Sequence, residues 1–433
     1  MTESIQPAAK LSGEIKLPAD KSISHRAALF AAISDHKSVI ENFSRAADPA
    51  STLHCLRSLG VEIIKKGDTV QVNGVGRTGF SEPDAPLDCG NSGTTMRLLG
   101  GIAAGAGVKC TLTGDESLSS RTMKRITDPL TKMGARVSAR DNLYAPLEFS
   151  GHDASGFRAI RFPLPIASAQ LKSSVLLAGL FGDGDTEVIE HIQSRDHTER
   201  LLNLRQEPYG DGKIIRSSQL DEIPAQSYSV PGDFSAAAFW LVAGSIHRNA
   251  KIQIPGTGIN PTRIAVLEVL KKMGANIKEA NPSFEGEEPI ADLTVESSFL
   301  KGIELDPALV PNCIDELPVL MVAMCFAEGV SKITGAEELR HKETDRLGAM
   351  TDVLTKAGAN IEPLPDGMII TGDPSFIPNP SLYRSYHDHR IAMAAAILSV
   401  TGKKASRVED SECTGISYPD FWDHLRKLTI TSL

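Results

Sequence analysis

Four stretches of the chain share one pattern of apolar and polar positions: residues 56–63, 130–137, 270–277 and 354–361. In each, two apolar residues three apart (Leu56 and Leu59, Leu130 and Met133, Leu270 and Met273, Leu354 and Ala357) precede a glycine, and apolar and polar residues then alternate. Three-residue spacing gives a helix a buried stripe, glycine supplies a left-handed stop, and alternation suits a half-buried strand. The pattern therefore predicts a helix end running into a strand. Turn residues and a second alternating run follow, as at Gly67-Asp68 before Thr69-Val70-Gln71-Val72 and Asp366-Gly367 before Met368-Ile369-Ile370, so the predicted unit is a helix plus a hairpin.

The interval between the second and third copies is about twice the others, which places a degenerate copy near residue 200. Residues 198–204, followed by Gly210-Asp211-Gly212, are the candidate, and residues 421–428 supply a sixth helix without the glycine. Asp48-Pro49, Asp128-Pro129 and Asn260-Pro261 read as capped helix starts, although Asp128-Pro129 also fits a break within a helix. Six units of about 70 residues exceed one hydrophobic core. Three plus three predicts two similar α/β domains meeting at a cleft.

Composition narrows the function. With 41% hydrophobic and 23% charged residues the chain has the balance of a globular protein. Its formal charge of −9 argues against a phosphate-backbone footprint, so no nucleic-acid partner is expected and any anion site must be local. No apolar run approaches the roughly 20 residues that span a bilayer, and the start has no basic or apolar leader, so the expectation is a cytoplasmic protein with no membrane partner. Six scattered cysteines form no C-x-x-C pair; Cys89, before a Gly-rich turn, reads as a core thiol rather than a nucleophile. His387 and His389 lack a third ligand pattern, so no metal is expected.

Several polar clusters stand at predicted helix starts. Lys21 and Ser22, with Arg26 one turn on, suit an anion, and Gly90-Asn91-Ser92-Gly93-Thr94-Thr95-Met96-Arg97 could cradle a phosphate or carboxylate with its backbone amides. Neither nucleotide-binding glycine loop is present, so no ATP or NAD cofactor is expected. Ser168-Ala169-Gln170 begins another helix, and Ser194-Arg195-Asp196-His197-Thr198-Glu199 precedes one, with Asp196 or Thr198 as an ordinary cap. Asp315-Glu316 is an acidic pair among apolar residues. Lys342 and Arg346 are four apart, hence on one helical face, with Glu343 beside them; Arg390 opens a strongly apolar helix.

In order along the chain, these motifs resemble those of the 5-enolpyruvylshikimate-3-phosphate synthases, from Lys21-Ser22 and Arg26 to Asp388-His389-Arg390-Ile391-Ala392-Met393 and Ser417-Tyr418-Pro419-Asp420-Phe421. The resemblance implies an α/β fold of two similar domains, each of three βαβαββ units, an inverse α/β barrel of the enolpyruvyl transferase kind. Residues 18–230 would form one domain and 1–17 with 231–433 the other, the strand at 11–17 completing the second, with the active site in the cleft. The implied enzyme is a metal-free and cofactor-free, monomeric transferase of the shikimate pathway. It moves the enolpyruvyl group of phosphoenolpyruvate onto shikimate 3-phosphate and is a target of glyphosate. Carried over by motif, shikimate 3-phosphate would be held by Lys21, Ser22, Arg26, Ser168, Ala169, Gln170, Ser194, Asp315 and Lys342. Phosphoenolpyruvate would be held by Lys21, Gly93, Arg121, Gln170, Arg346 and Arg390. Asp315 resembles the base, Glu343 the acid, and Lys21 a catalytic cation touching both substrates. Ala169, Leu98 and Ile416 depart from the commoner Ser, Pro and Lys and resemble a second subgroup of the family.

Two other readings use the same fold: a UDP-N-acetylglucosamine enolpyruvyl transferase and a non-catalytic anion-binding protein. Against the first, residues 118–125 lack the cysteine of that enzyme's cleft loop; against the second, both Asp315 and Glu343 are present.

Overall fold

The structure, a computed structural model, describes residues 1–431. The chain forms two compact units, one of Ala19–Val230 with Glu285–Glu288, the other of Met1–Pro18, Pro231–Phe284 and Pro289–Leu433. Each has its own hydrophobic core.

In the first unit α1 (Lys21–Ile33) is followed by α2 (Ala47–Ser58), α3 (Gly93–Ala106) by α4 (Lys124–Lys132), and α5 (Ala169–Gly179) by α6 (His197–Leu201). In the second, α7 (Phe234–Ile246) is followed by α8 (Ala265–Lys272), α9 (Leu317–Cys325) by α10 (Arg346–Ala357), and α11 (His389–Ser399) by α12 (Phe421–Leu428). The odd-numbered helices are apolar around nearly their whole circumference and are buried accordingly; every residue of α7, α9 and α11 is enclosed. Of the even-numbered helices, α4, α8 and α12 carry one apolar stripe with exposed residues on the other face, whereas α6 is short and buried at four of its five residues. Polar groups stand in the N-terminal turns of the odd-numbered helices, Lys21 and Ser22, Thr94, Gln170, Ser235 and Arg390, while α1 and α5 also bury Arg26 and Lys172 further along.

Each helix pair feeds a small sheet. In the second repeat Leu87–Asp88 runs parallel to Cys110–Thr113, which pairs antiparallel with Tyr144–His152, and that with Ala135–Arg140. The third repeats this order with Arg161–Pro163, Thr186–Glu190, Gly212–Ser217 and Arg205–Tyr209. In the second unit Lys10–Glu14 runs parallel to Ala250–Gly258 and antiparallel to Thr429–Ile430, so an N-terminal strand completes that unit's five-stranded sheet. The strand is shorter than the expected 11–17.

The repeat is visible in the backbone. Gly60, Gly134, Gly274 and Gly358 all have φ between 82° and 102°, the left-handed stop that each copy predicts. The degenerate copy substitutes Asn203, at φ 55°, just beyond α6; asparagine tolerates this region better than other side chains. The sixth helix has no such residue and passes directly into Thr429–Ile430.

Two of the three predicted helix starts are corrected, and at Asp128-Pro129 the alternative position within a helix holds. Asp48 lies inside α2, whose cap position is Ala46, and its carboxylate is taken by Lys21. Asp128-Pro129 lies within α4, because Met123 already starts that helix. Asn260 accepts from the amide and hydroxyl of Thr262 in a turn that ends before α8. No single described helix is long and apolar enough to cross a membrane.

Candidate active site

In the first unit the N-terminal turns of α1, α3 and α5 are capped by Asp20, Ser92 and Ser168, which accept from the amides of Ile23, Thr95 and Leu171. Helices α3 and α5 approach closely at Gly101, where a β-carbon would stand 2.3 Å from the Ser174 carbonyl oxygen. That approach joins their first turns. Arg97 Nη1 donates to Gln170 Oε1 at 2.6 Å, and Gln170 Nε2 donates to Thr94 Oγ1 at 2.9 Å. Arg121 Nη2 donates to Asn91 in the loop before α3 at 2.8 Å and to Ser117 at 3.0 Å. Gly93, Arg121 and Gln170 therefore belong to one cluster, to which sequence reasoning had not assigned Arg97.

Arg26 is buried one turn into α1. It donates to the hydroxyls of Thr198 and Ser173, both at 2.9 Å, and to the Ser22 carbonyl at 3.1 Å. Burial lowers its pKa to about 10, so it stays charged at neutral pH. Lys21, the first residue of α1, pairs with Asp48 at 2.8 Å. Arg26 of α1 thus meets Ser173 of α5 and Thr198, while Lys21 meets Asp48 of α2.

Ser194 is positioned from behind by groups the sequence reading did not single out. Glu190 Oε1 accepts from the Ser194 amide at 2.9 Å, from its hydroxyl at 2.6 Å and from Lys172 Nζ at 2.8 Å; Lys172 also pairs with Glu199 at 2.7 Å. Burial would lower the Lys172 pKa, but Glu199 and Glu190 outweigh it and raise the pKa above the ordinary value. The only hint in the sequence was a Lys in the middle of an apolar helix. Asp196 and Thr198 are not side-chain caps: Asp196 pairs with Arg200 at 2.9 Å, and the Thr198 hydroxyl serves Arg26.

The second unit centres on Arg346, the first residue of α10, 1% exposed. Its guanidinium touches three carboxylates: Asp388 at 2.8 Å, Glu343 at 2.6 Å and Asp315 at 3.4 Å. Burial alone would lower its pKa, yet Asp388, Glu343 and Asp315 raise it above the ordinary value. Lys342 reaches the same Asp315 oxygen at 3.5 Å. Lys342 and Arg346 do not share a helical face as expected: Lys342 is extended backbone after the turn Glu337–His341, and α10 begins only at Arg346. They converge on Asp315 through tertiary placement.

Asp388 caps α11, accepting from the Arg390 amide at 2.8 Å while binding Arg346, so one carboxylate sets both arginines. Glu316, next to Asp315, turns inward to Arg263, Ser235 and Arg390.

Cys89 is buried; its hydrogen bond with Cys55 and that burial push its thiol well above the ordinary value, the state of a core thiol. His387 is exposed and His389 buried, and no group of three or more His, Cys, Asp or Glu side chains among the described residues could hold a metal.

Residues 5–425 match the family model of EPSP synthase (3-phosphoshikimate 1-carboxyvinyltransferase). The chain is 46% identical over 433 residues to a 3-phosphoshikimate 1-carboxyvinyltransferase of Salinibacter ruber, covering 100% of both. It is also 46% identical over 421 residues to that of Syntrophomonas wolfei, covering 97% of both. Among solved structures it is similar to an EPSP synthase of Acinetobacter baumannii, with TM-score 0.88, 38% identity and 99% and 98% of the two chains covered. The enolpyruvyl transferase NikO of Streptomyces tendae, with TM-score 0.75 and 16% identity over 98% and 96% of the chains, shares the fold.

Proposed function

Because the chain belongs to the EPSP synthase family, and so transfers the enolpyruvyl group of phosphoenolpyruvate to shikimate 3-phosphate, we propose that two sets of side chains, one from each unit, carry the reaction. The enzyme is a transferase of the shikimate pathway; the uridine-nucleotide and non-catalytic alternatives are not favoured by this family membership.

Shikimate 3-phosphate is assigned to Lys21, Ser22, Arg26, Ser168, Ala169, Gln170 and Ser194 of the first unit and to Asp315 and Lys342 of the second. Phosphoenolpyruvate is assigned to Lys21, Gly93, Arg121 and Gln170 with Arg346 and Arg390. The observation that carries the reading is the convergence of Asp315 and Glu343, from separate segments, on the one guanidinium of Arg346. A base and an acid are thereby held beside a cation that suits an anionic substrate.

Asp315 takes the proton of the 5-hydroxyl as its oxygen attacks C2 of phosphoenolpyruvate, while Glu343 delivers a proton to C3. The product is a tetrahedral ketal phosphate with a new methyl group. Glu343 then takes a methyl proton back, the enol double bond reforms and phosphate leaves, accepting the proton held by Asp315. Protons balance over the cycle and both carboxyl groups return to their starting states. Lys21, Arg121 and Arg390 offset the charge of the leaving phosphate and the carboxylate.

The assignment requires both units to present their sets to one pair of ligands. The same reading takes the enzyme as a cytoplasmic monomer without a nucleic-acid or membrane partner; supply of all the assigned residues by one chain and the charge of −9 support the monomer and the lack of nucleic acid. The test is shikimate 3-phosphate affinity in Arg26→Ala and Lys342→Ala, measured by calorimetry. Both are expected to weaken it, and a loss confined to one refutes the shared assignment.

A further inference from the structure

Glu316, Arg263, Ser235 and Arg390 form a buried polar chain in the second unit, with exposures of 0%, 3%, 5% and 7%. Three helix starts supply it: Glu316 is the residue before α9, Ser235 the second residue of α7, and Arg390 the second of α11. The amides of Ser235 and Arg390 are fixed by the capping carboxylates of Asp233 and Asp388, at 2.7 and 2.8 Å. Glu316 makes its closest cation contacts with Arg263, whose Nη1 donates to both carboxylate oxygens at 3.0 and 3.1 Å; Arg390 Nη1 stands 3.5 Å away. The Ser235 hydroxyl lies between, donating to Glu316 Oε1 and accepting from Arg390 Nη1.

The direction of that hydroxyl follows from charge. An ionised carboxylate has no hydrogen to give, so Ser235 must donate to Glu316, and its lone pairs then face Arg390. The negative charge of Glu316 is meanwhile matched by the nearer guanidinium. A buried pair at about 3 Å interacts far more strongly than an exposed one; Glu316 is shared between two guanidiniums, Arg263 the nearer and Arg390 the farther, and its one negative charge cannot cancel both.

We infer that Arg263 and Glu316 are positioning residues for Arg390: Glu316, through Ser235, orients the Arg390 guanidinium, and Arg263 neutralises Glu316 so that Arg390 keeps a net positive charge for an anionic substrate. The inference rests on the assignment of Arg390 to phosphoenolpyruvate. Local charge bookkeeping makes the prediction specific. Glu316 and Arg263 sum to zero, leaving one positive charge on Arg390. Without Arg263, Glu316 pairs with Arg390 alone and the surplus vanishes. With Glu316 also made neutral, the surplus returns.

The test is steady-state phosphate release by Arg263→Met, Glu316→Gln, the double variant and Arg390→Met, with thermal unfolding to verify the fold. Arg263→Met is expected to raise KM for phosphoenolpyruvate at least about tenfold and leave KM for shikimate 3-phosphate within about twofold. Glu316→Gln alone should not raise KM for phosphoenolpyruvate by more than a few-fold, and in the Arg263→Met background it should restore that KM to near the parent value. A purely structural role predicts the opposite, the double variant being worse than either single one. If Arg263→Met does not fold, the double variant still decides, since it carries no unmatched buried carboxylate: a parent-like KM supports the inference and a tenfold rise overturns it. If Arg390→Met leaves KM for phosphoenolpyruvate unchanged, the underlying assignment fails; if Arg390→Met raises it while Arg263→Met does not, only the positioning role fails.

Discussion

Adding one methyl group at Gly93 tests the geometry of the first unit most sharply. An alanine β-carbon there would stand 2.7 Å from Arg97 Nη1, where ordinary contact begins at 3.4 Å. The guanidinium must retreat by several tenths of an ångström, and the same nitrogen donates the 2.6 Å bond to Gln170. Losing one hydrogen bond from a charged donor costs about 1.5–3 kcal/mol. If Gln170 thereby loses its orientation toward phosphoenolpyruvate, KM for that substrate rises by roughly 10- to 150-fold. The assay is a double-mutant cycle of Gly93→Ala and Arg97→Met, read by phosphate release with each substrate varied. With no guanidinium to displace, Gly93→Ala should cost little in the Arg97→Met background, giving a coupling of at least about 1.5 kcal/mol. Effects that add to within about 0.5 kcal/mol refute the steric link. The same variant is expected to weaken glyphosate more than phosphoenolpyruvate, because a longer ligand tolerates a narrowed site less well; equal factors in Ki and KM would falsify that extension.

Other expectations follow from the same contacts. Asp315→Ala and Glu343→Ala should each lower kcat by about a hundredfold or more while KM changes little, as proton transfer requires; a loss appearing only in KM removes them from the chemistry. Lys172→Met leaves the buried Glu190 and Glu199 with only the longer contacts from Lys213, at 3.5 and 4.0 Å, at a cost of about 3–5 kcal/mol, or roughly 6–20 °C in Tm for a unit of this size. A calorimetric shift below about 2 °C contradicts that account. His25 is fully buried against Thr52, and burial, then Lys21 and Arg26, hold its pKa well below 6.5. The unfolded chain protonates this side chain below pH 6.5 while the folded one does not, so stability contributed by neutral His25 is present above that pH and falls as the pH drops below it. His25→Gln should flatten the decline in Tm between about pH 6.5 and 5; an unchanged slope excludes His25 as its source.

What the chain announces by itself is local and periodic. Left-handed stops at Gly60, Gly134, Gly274 and Gly358 belong to single residues whose conformational freedom is a property of glycine, so the repeat, its helix ends and its hairpins are legible without coordinates. The α/β class follows, and so do the polar N-termini of mostly apolar helices. Ordered motifs also disclose family and reaction. What sequence reasoning missed depends on which helix lies beside which. Asp48 reads as a cap until α1 brings Lys21 to it, and Lys342 and Arg346 seem to share a helix until a turn separates them and Asp315 reunites them. Arg97, Glu190 and Arg263 carry no local signature, and Lys172 and Glu316 only that of a charge among apolar residues. Their partners lie 18 to 81 residues away in the sequence, except where Glu190 reaches Ser194, and only the packing of buried helices decides which charges meet there. A buried charge is stable only with its partner, so tertiary structure, not spacing along the chain, selects the groups that hold the candidate site in place.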